Sequence, residues 1–312
     1  MKKVLVTGGA GFIGSHIVRK QLELGCAVVV LDDLSSGFRH NLDAVAADIE
    51  FIEGSICDAD TIARACRGVD TVFHLAARAS VPRSVEHPAE ANAVNVNGTL
   101  NVLIAARDQG VRRVVNSASS SAYGETPELP KVETIKPEPL SPYAVSKLAA
   151  EHYCAAFYHC YGLETVSLRY FNVFGPRQDP GSQYAAVIPA FVSRMLAGKP
   201  PIVFGDGEQS RDFCYVDNVV EANQLAATAP GVRGEAVNIA CGERTTLNEM
   251  ITLINEQLGT QIAAEYQPPR AGDVKHSLAS IDAAKALIGY EPRVLFREGL
   301  ARSIDWYREN LG

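Results

Sequence analysis

Tyr143 and Lys147 stand four residues apart, and a serine run, Ser119-Ser120-Ser121, precedes them by about two dozen residues. Ser141-Pro142 reads as a helix start. Serine is a favoured N-cap, and proline suits the first helical position because its missing N–H would be unpaired there. Residues i and i+4 share a helix face, so the Lys147 ammonium is expected beside the Tyr143 phenol. A neighbouring cation favours the phenolate and draws the phenol below its ordinary value. A phenol nearer neutral pH is a usable general base toward an alcohol. Alone, the pair also fits an exposed lysine beside a half-buried tyrosine, so the elements that position it carry the weight.

Lys3 to Thr7 reads as a buried strand of aliphatic and β-branched residues. It runs into Gly8-Gly9-Ala10-Gly11-Phe12-Ile13-Gly14, and Ser15 to Leu24 has helical apolar spacing. A Gly-x-x-Gly-x-x-Gly turn between a strand and a helix lets the backbone approach a pyrophosphate, whose charge is favoured at the helix N-terminus. Ala27 to Leu31 is a second strand ending at Asp32. A carboxylate there accepts hydrogen bonds from ribose hydroxyls and repels a 2′-phosphate. No arginine follows immediately, so NAD is favoured over NADP, and Asp33 is a second candidate for the ribose.

Further strands are expected at Glu50 to Glu53, Asp70 to Leu75 and Arg113 to Ser117, with helices at Ala59 to Cys66 and Ala89 to Gln109. This alternation predicts an α/β fold, a doubly wound parallel Rossmann sheet whose ligands lie at the carboxyl ends of the strands. Gly9, Asp32, Ala76 and Ser119 all fall at such ends. His74 reads as a packed strand residue, with no metal-ligand spacing around it. We place the dinucleotide domain at 1–175 and a smaller α/β substrate domain at 176–312, with later excursions of the chain back to the sheet. In that second part Tyr184 to Leu196 and Val216 to Thr228 read as helices, Ile202 to Phe204 and Ala236 to Ile239 as strands. Thr246-Leu247-Asn248-Glu249 is a capping box, and Asp282 to Ile288 and Phe296 to Tyr307 are closing helices.

Composition narrows the class. The chain has 312 residues, 47% apolar, enough for a sizeable core, and a net charge of −7 with no basic run, which argues against nucleic acid. Its seven cysteines are scattered, with no zinc spacing, and read as reduced thiols. The N-terminus lacks the shape of a signal peptide, and no window is long and apolar enough to span a bilayer. The expectation is a cytoplasmic protein without membrane or metal.

The glycine turn, Asp32, the serine run and Tyr-x-x-x-Lys occur in the order of the extended short-chain dehydrogenase/reductase family, which the chain resembles nearly end to end. Within it the chain looks most like the UDP-hexose 4-epimerases, in particular bacterial UDP-N-acetylglucosamine 4-epimerases. The likeness is carried by Ser80-Val81-Pro82-Arg83-Ser84, Leu168-Arg169-Tyr170-Phe171-Asn172-Val173-Phe174-Gly175, Ser210-Arg211-Asp212-Phe213-Cys214-Tyr215 and Arg270-Ala271-Gly272-Asp273-Val274, with His276-Ser277 after it.

The resemblance implies roles. Tyr143 would be the base, Lys147 would tune it and hold the nicotinamide ribose, and Ser119 would bond the substrate hydroxyl, with Ser120 and Ser121 along the sugar. Toward NAD it implies Gly8, Gly11, Phe12, Ile13 and Gly14 of the turn, and Asp32 and Asp33. It adds Ser55 and Ile56, then Leu75, Ala76 and Ala77, and finally Asn95, Ser117 and Tyr170. Toward a UDP-sugar it implies Ser80, Asn172 and Val187, with Arg211 and Arg270 on the diphosphate and Asp273 on the uridine ribose; both arginines also read as surface charges. Ser277 stands where a tyrosine would close the sugar pocket to N-acetylated substrates, so the expected substrates are UDP-GlcNAc and UDP-GalNAc, with UDP-Glc and UDP-Gal also accepted. Sugar dehydratases of the family carry Asp-Glu at positions 120 and 121, and decarboxylases a Glu; serines there speak against both. Two departures are Ser55, where the family commonly has Asp for the adenine amino group, and the polar pair Asn116-Ser117 within a strand. A homodimer through the 89–109 and 141–161 helices is expected.

Overall fold

The protein is described here by a computed structural model covering residues 2–179, 187–269 and 275–311. The first half alternates strand and helix. In chain order these are β1 (Lys3–Thr7), α1 (Phe12–Glu23), β2 (Ala27–Asp32), β3 (Ile49–Glu53), α2 (Ala59–Ala65) and β4 (Thr71–His74). There follow α3 (Val81–Glu86), α4 (Pro88–Asn92), α5 (Thr99–Asp108), β5 (Arg113–Ser119), α6 (Pro142–Tyr161) and β6 (Glu164–Tyr170). Seven strands form one sheet in the order Ala236–Ile239, β6, β5, β4, β1, β2, β3, with every pairing parallel. The order reverses between β1 and β4, and that crevice is where open α/β sheets bind ligands.

Alternation along the strands explains the two covered faces. Val4, Val6, Val28 and Val30 pack into a core that includes Ile17 and Val18 of α1 and Val219, Ala222 and Ala226 of the Val216–Thr228 helix. Leu5, Val29 and Leu31 face the other way, onto Ile62 of α2, Val102 and Leu103 of α5 and Phe157 of α6. A sheet buried on both faces needs such nearly continuous apolar strands.

Several element ends differ from the sequence expectation. Helix α1 starts at Phe12 rather than Ser15, because Gly11 already serves as its N-cap. Strand β5 runs on to Ser119, which brings the serine run to the carboxyl end of the sheet. The single helix expected over 89–109 is instead α4, a widened π-helical turn at Ala93–Gly98, and α5. Just after that turn the Thr99 hydroxyl donates back to the Asn95 carbonyl, four residues earlier, at 2.6 Å. Strand Ala236–Ile239 joins the main sheet beside β6, so the second half of the chain completes it. The capping box at Thr246 and Glu249 forms with both reciprocal bonds. Of the helix expected from Tyr184, Val187–Leu196 is observed, and 184–186 lie outside the described residues.

Candidate active site

A cavity of about 540 Å³ opens at the crevice. Its floor is the glycine turn. Gly8 has φ +72°, and a Cβ there would meet the Ala76 nitrogen at 2.7 Å; a Cβ on Gly14 would meet the Gly8 carbonyl oxygen at 2.1 Å. Only glycine lets β1, α1 and the end of β4 approach this closely. Asp32 ties the turn down: its carboxylate accepts from the Ala10 N–H and the Leu34 N–H, each at 2.9 Å. Burial pushes its carboxyl above the usual range against those two bonds. A carboxylate has about four acceptor positions, so two remain for hydroxyl donors.

Tyr143, Lys147 and Ser119 face the same cavity. Ser141 caps α6 by accepting from the Ala144 N–H at 3.1 Å, and Pro142 occupies the first turn. Ser119 ends β5 and accepts from the hydroxyl of Ser121 at 2.8 Å and its N–H at 3.2 Å. The expected depression of the phenol by Lys147 is not what the protein groups produce. Burial raises Tyr143, and the Ser119 hydroxyl pulls it the other way. Burial also brings the Lys147 ammonium down to about 8, its buried neighbour Cys154 working against that. Lys147 therefore sits at the cavity as a cation that is easily discharged.

His74 is the packed residue the sequence suggested. Its Nδ1 lies 2.8 Å from the Thr7 hydroxyl and its Nε2 2.9 Å from that of Thr99. Thr99 donates to Asn95 and Thr7 accepts from the Ala76 N–H, so the consistent arrangement is a neutral ring with its proton on Nε2. Burial holds it neutral, down to about 3.

The cavity gathers almost every cofactor candidate: the turn residues Gly8, Gly11, Phe12, Ile13 and Gly14, then Asp32, Asp33, Ser55, Ile56, Leu75, Ala76, Ala77, Ser117 and Tyr170. Asn95 is the exception. It is buried away from the cavity wall, its amide bonded to the Arg78 backbone at 2.7 and 3.1 Å and to the Ser146 hydroxyl at 2.9 Å. It acts on the strand-end loop and α6, both of which border the cavity. Ser80 is not in the wall either, because its hydroxyl caps α3 at the Arg83 N–H, 3.2 Å away. Ser120 and Ser121 lie half-buried in the turn behind Ser119. The polar strand pair is accounted for in part: Asn116 donates to Ser167 at 3.0 Å, and Ser117 faces the cavity.

Two contributors were not singled out from sequence. Ser84 accepts from the Tyr143 N–H at 3.1 Å, taking an orphan donor of the α6 start. Arg78 lines the cavity and bonds Glu90 at 2.9 Å, Asp33 at 3.3 Å and the Ser35 hydroxyl, although 45 residues separate it from Asp33 in the chain. Burial works against the Asp33 carboxylate, but Ser35 and Arg78 outweigh it and hold the group below its ordinary value. The serine-proline start was a signal for a capped helix; nothing local marked Ser84 as its partner, or Arg78 as the partner of Asp33.

A second cavity of about 340 Å³ shares Asn172 and Val173 with the first. Val187, Arg211, Phe204 and Phe213 line it. Asn172 has φ +32°, a backbone region asparagine tolerates better than most residues. Its side-chain amide donates to the Asp212 carbonyl at 2.9 Å and to the Ser277 hydroxyl at 3.2 Å. Asp212 anchors this region by accepting from the N–H groups of Cys241, Gly242 and Ala279, at 2.8, 3.1 and 3.2 Å. Arg270 and Asp273 lie outside the described residues. Among the described residues no cluster of metal-ligating side chains occurs, and no helix is long and apolar enough to cross a membrane.

The chain matches the model of the NAD dependent epimerase/dehydratase family over residues 4–240. Three solved structures are similar over almost its whole length. A UDP-N-acetylglucosamine 4-epimerase from Methanobrevibacter ruminantium, in complex with UDP-N-acetylmuramic acid, is 42% identical with a TM-score of 0.95, covering 99% of each chain. A UDP-glucose 4-epimerase from Thermotoga maritima with UDP-glucose is 43% identical with a TM-score of 0.94, covering 99% of this chain and 100% of that one. A UDP-glucose 4-epimerase from Thermus thermophilus in complex with NAD is 41% identical with a TM-score of 0.89, covering 98% and 99%.

Proposed function

The chain belongs to the NAD dependent epimerase/dehydratase family, and from that premise we propose that it reversibly inverts C4 of UDP-hexoses, both N-acetylated and plain. The observation that carries this reading is the placing of Tyr143, Lys147 and Ser119 in the cavity of the glycine turn, with Asn172 opening onto a second cavity that holds Arg211.

NAD fits the first cavity: the glycine cradle admits no Cβ at Gly8 or Gly14, and Asp32 retains acceptor capacity for ribose hydroxyls. Lys147 and Tyr170 would hold its nicotinamide end, with Asp32 and Asp33 at the adenosine ribose. Bound NAD supplies a reversible hydride acceptor for C4. Tyr143 takes the proton of the 4-hydroxyl, directly or through Ser119, and returns it once the other face of the sugar is presented. Burial favours the neutral phenol, and the Ser119 hydroxyl is the protein group that works against it. Arg211 pairs its guanidinium fork with the diphosphate and keeps the nucleotide anchored while the hexose turns. Ser120 and Ser121 offer no carboxylate to remove a C5 proton, which separates this reading from a dehydratase.

Acceptance of N-acetylated sugars rests on Ser277, a small side chain against Asn172. Self-association is supported by Ile104, Val145, Tyr153 and Tyr161, all exposed on α5 and α6. Seven free cysteines fit a cytoplasmic, reducing compartment.

The test incubates purified protein, without added cofactor, with UDP-GlcNAc and separately with UDP-Gal, and follows the C4 epimers. Both should interconvert, and Tyr143→Phe should lower kcat by about 10²–10⁴. A Tyr143→Phe protein at full rate removes the mechanism; conversion of UDP-Gal alone removes the broader substrate range.

A further inference from the structure

Tyr143, Lys147 and Glu151 occur at i, i+4 and i+8 on α6 and so share one face. Lys147 and Tyr143 reach the cavity; Glu151 lies deeper, its side chain 7% exposed. It is locked in a two-pronged pair with Arg169 of β6, at 2.6 and 2.9 Å, and the Arg169 side chain is 5% exposed. The third nitrogen of Arg169 donates to the Tyr123 hydroxyl at 2.8 Å, and its guanidinium also lies over the Tyr123 ring, 4.9 Å from the centroid.

Tyr123 ends the short turn that starts at the serine run, and it is fully buried. Its hydroxyl donates in turn to Asn238 at 2.8 Å. Asn238 donates to the carbonyls of Lys131 and Ser280, at 3.0 and 3.2 Å. Backbone bonds between Lys131 and Leu278 (2.7 Å), and Ser280 and Lys131 (2.9 Å), pin the stretch that carries Ser277. One continuous line of buried polar contacts thus joins the helix of Tyr143, the turn of Ser119 and the segment of Ser277.

Buried ion pairs contribute little stability over apolar replacements, whereas their geometry is demanding, since both partners must meet in one orientation. We propose that Glu151, Arg169, Tyr123 and Asn238 form a positioning relay that sets the Tyr143–Ser119 spacing and registers both against the substrate segment. None of the four is assigned contact with substrate. The relay rests on the reading of Tyr143 as the base. Misplacing a reacting group by about 1 Å can cost on the order of 100-fold in rate.

The test compares Glu151→Gln and Tyr123→Phe, singly and together, by kcat, KM, bound NAD released on denaturation, and thermal unfolding. Tyr123→Phe keeps the ring beneath Arg169 and removes only the hydroxyl, so it stands in where Glu151→Gln fails to fold. The relay predicts kcat lowered about tenfold in each single variant, KM within about twofold and NAD content unchanged. The double variant should lose no more than the worse single, because the two sites act through one chain of contacts. A folded, NAD-loaded Tyr123→Phe protein with kcat within twofold of the parent overturns the proposal, as does a loss that appears only in KM or NAD content. Tyr143→Phe, run alongside, stays impaired in either case and tests the underlying reading separately.

Discussion

The two cavities meet at Asn172 and Val173 but are walled differently. The larger is floored by close-packed backbone, at the glycine turn, the residues Leu75 to Ala77 just after β4 and the end of β2 at Asp32, with Tyr143 and Lys147 facing it from α6. Its shape is set by how tightly parallel strands and α1 pack. The smaller is closed by side chains, among them Phe204, Phe213, Val187 and Arg211, drawn from helices, short strands and loops far apart in the chain. A wall of backbone changes only when the fold changes, whereas a wall of side chains can be retuned one residue at a time. The first suits an invariant cofactor and the second a substrate that differs between relatives.

The largest effect should come from putting one methyl group into the backbone wall. Gly14→Ala would place a Cβ 2.1 Å from the Gly8 carbonyl oxygen, so α1 must shift from β1. The purified variant should lack bound NAD and fall at least about 100-fold in activity, read by cofactor content and turnover. A variant that keeps its NAD would show that this wall is as adaptable as the other.

Ser277→Tyr acts just behind the side-chain wall, where Ser277 accepts from the Asn172 amide. It should lower kcat/KM for UDP-GlcNAc by about tenfold or more while UDP-Gal turnover and NAD content stay close to the parent. Equal losses on both sugars would mean that Ser277 governs the fold of its segment rather than sugar size.

The smallest effect sharpens the contrast through pH. His74, in the backbone-walled region, is brought from the ordinary 6.5 to about 3 by burial. Between those values the unfolded chain binds a proton the folded one refuses, so this contribution grows as pH rises and is complete above 6.5. Asp212, behind the other cavity, is raised from 3.8 to about 6, again by burial. Its contribution has the opposite sign: present below 3.8 and lost as pH rises through about 6. Thermal midpoints from pH 4 to 7 should rise less steeply in His74→Asn and more steeply in Asp212→Asn, by about 2–4 °C for each kcal/mol removed. Identical slopes in all three proteins would refute the assignment.

The same contrast explains what could be read from the chain. Strands of Val, Leu and Ile, a glycine turn at the end of one and a carboxylate at the end of the next are local patterns, and β1, β2 and the Val216–Thr228 helix lie where those patterns placed them. The Ser141 cap and the Thr246 box are local too. Ser84 reaching the Tyr143 N–H, Arg78 reaching Asp33, and Asp212 gathering three N–H groups depend on which distant segments the sheet brings together. Asn95 was legible as a polar residue near the site, but its spent amide was not, because its partners come from the loop after β4 and from α6. The effect of Lys147 on Tyr143 was misjudged for a related reason: spacing gives adjacency, whereas burial depends on everything packed around the pair.

The π-helical turn at Ala93–Gly98 makes that stretch sensitive to length. The wide turn already absorbs one residue beyond ordinary winding, and a helix advances about 100° per residue, so one more residue there would swing all that follows by that angle. Either Asn95 would lose its grip on the Arg78 backbone and Ser146, or α5 would turn its apolar side from the sheet. Insertions should therefore be selected against across these six residues even where exchanges of one side chain for another are accepted.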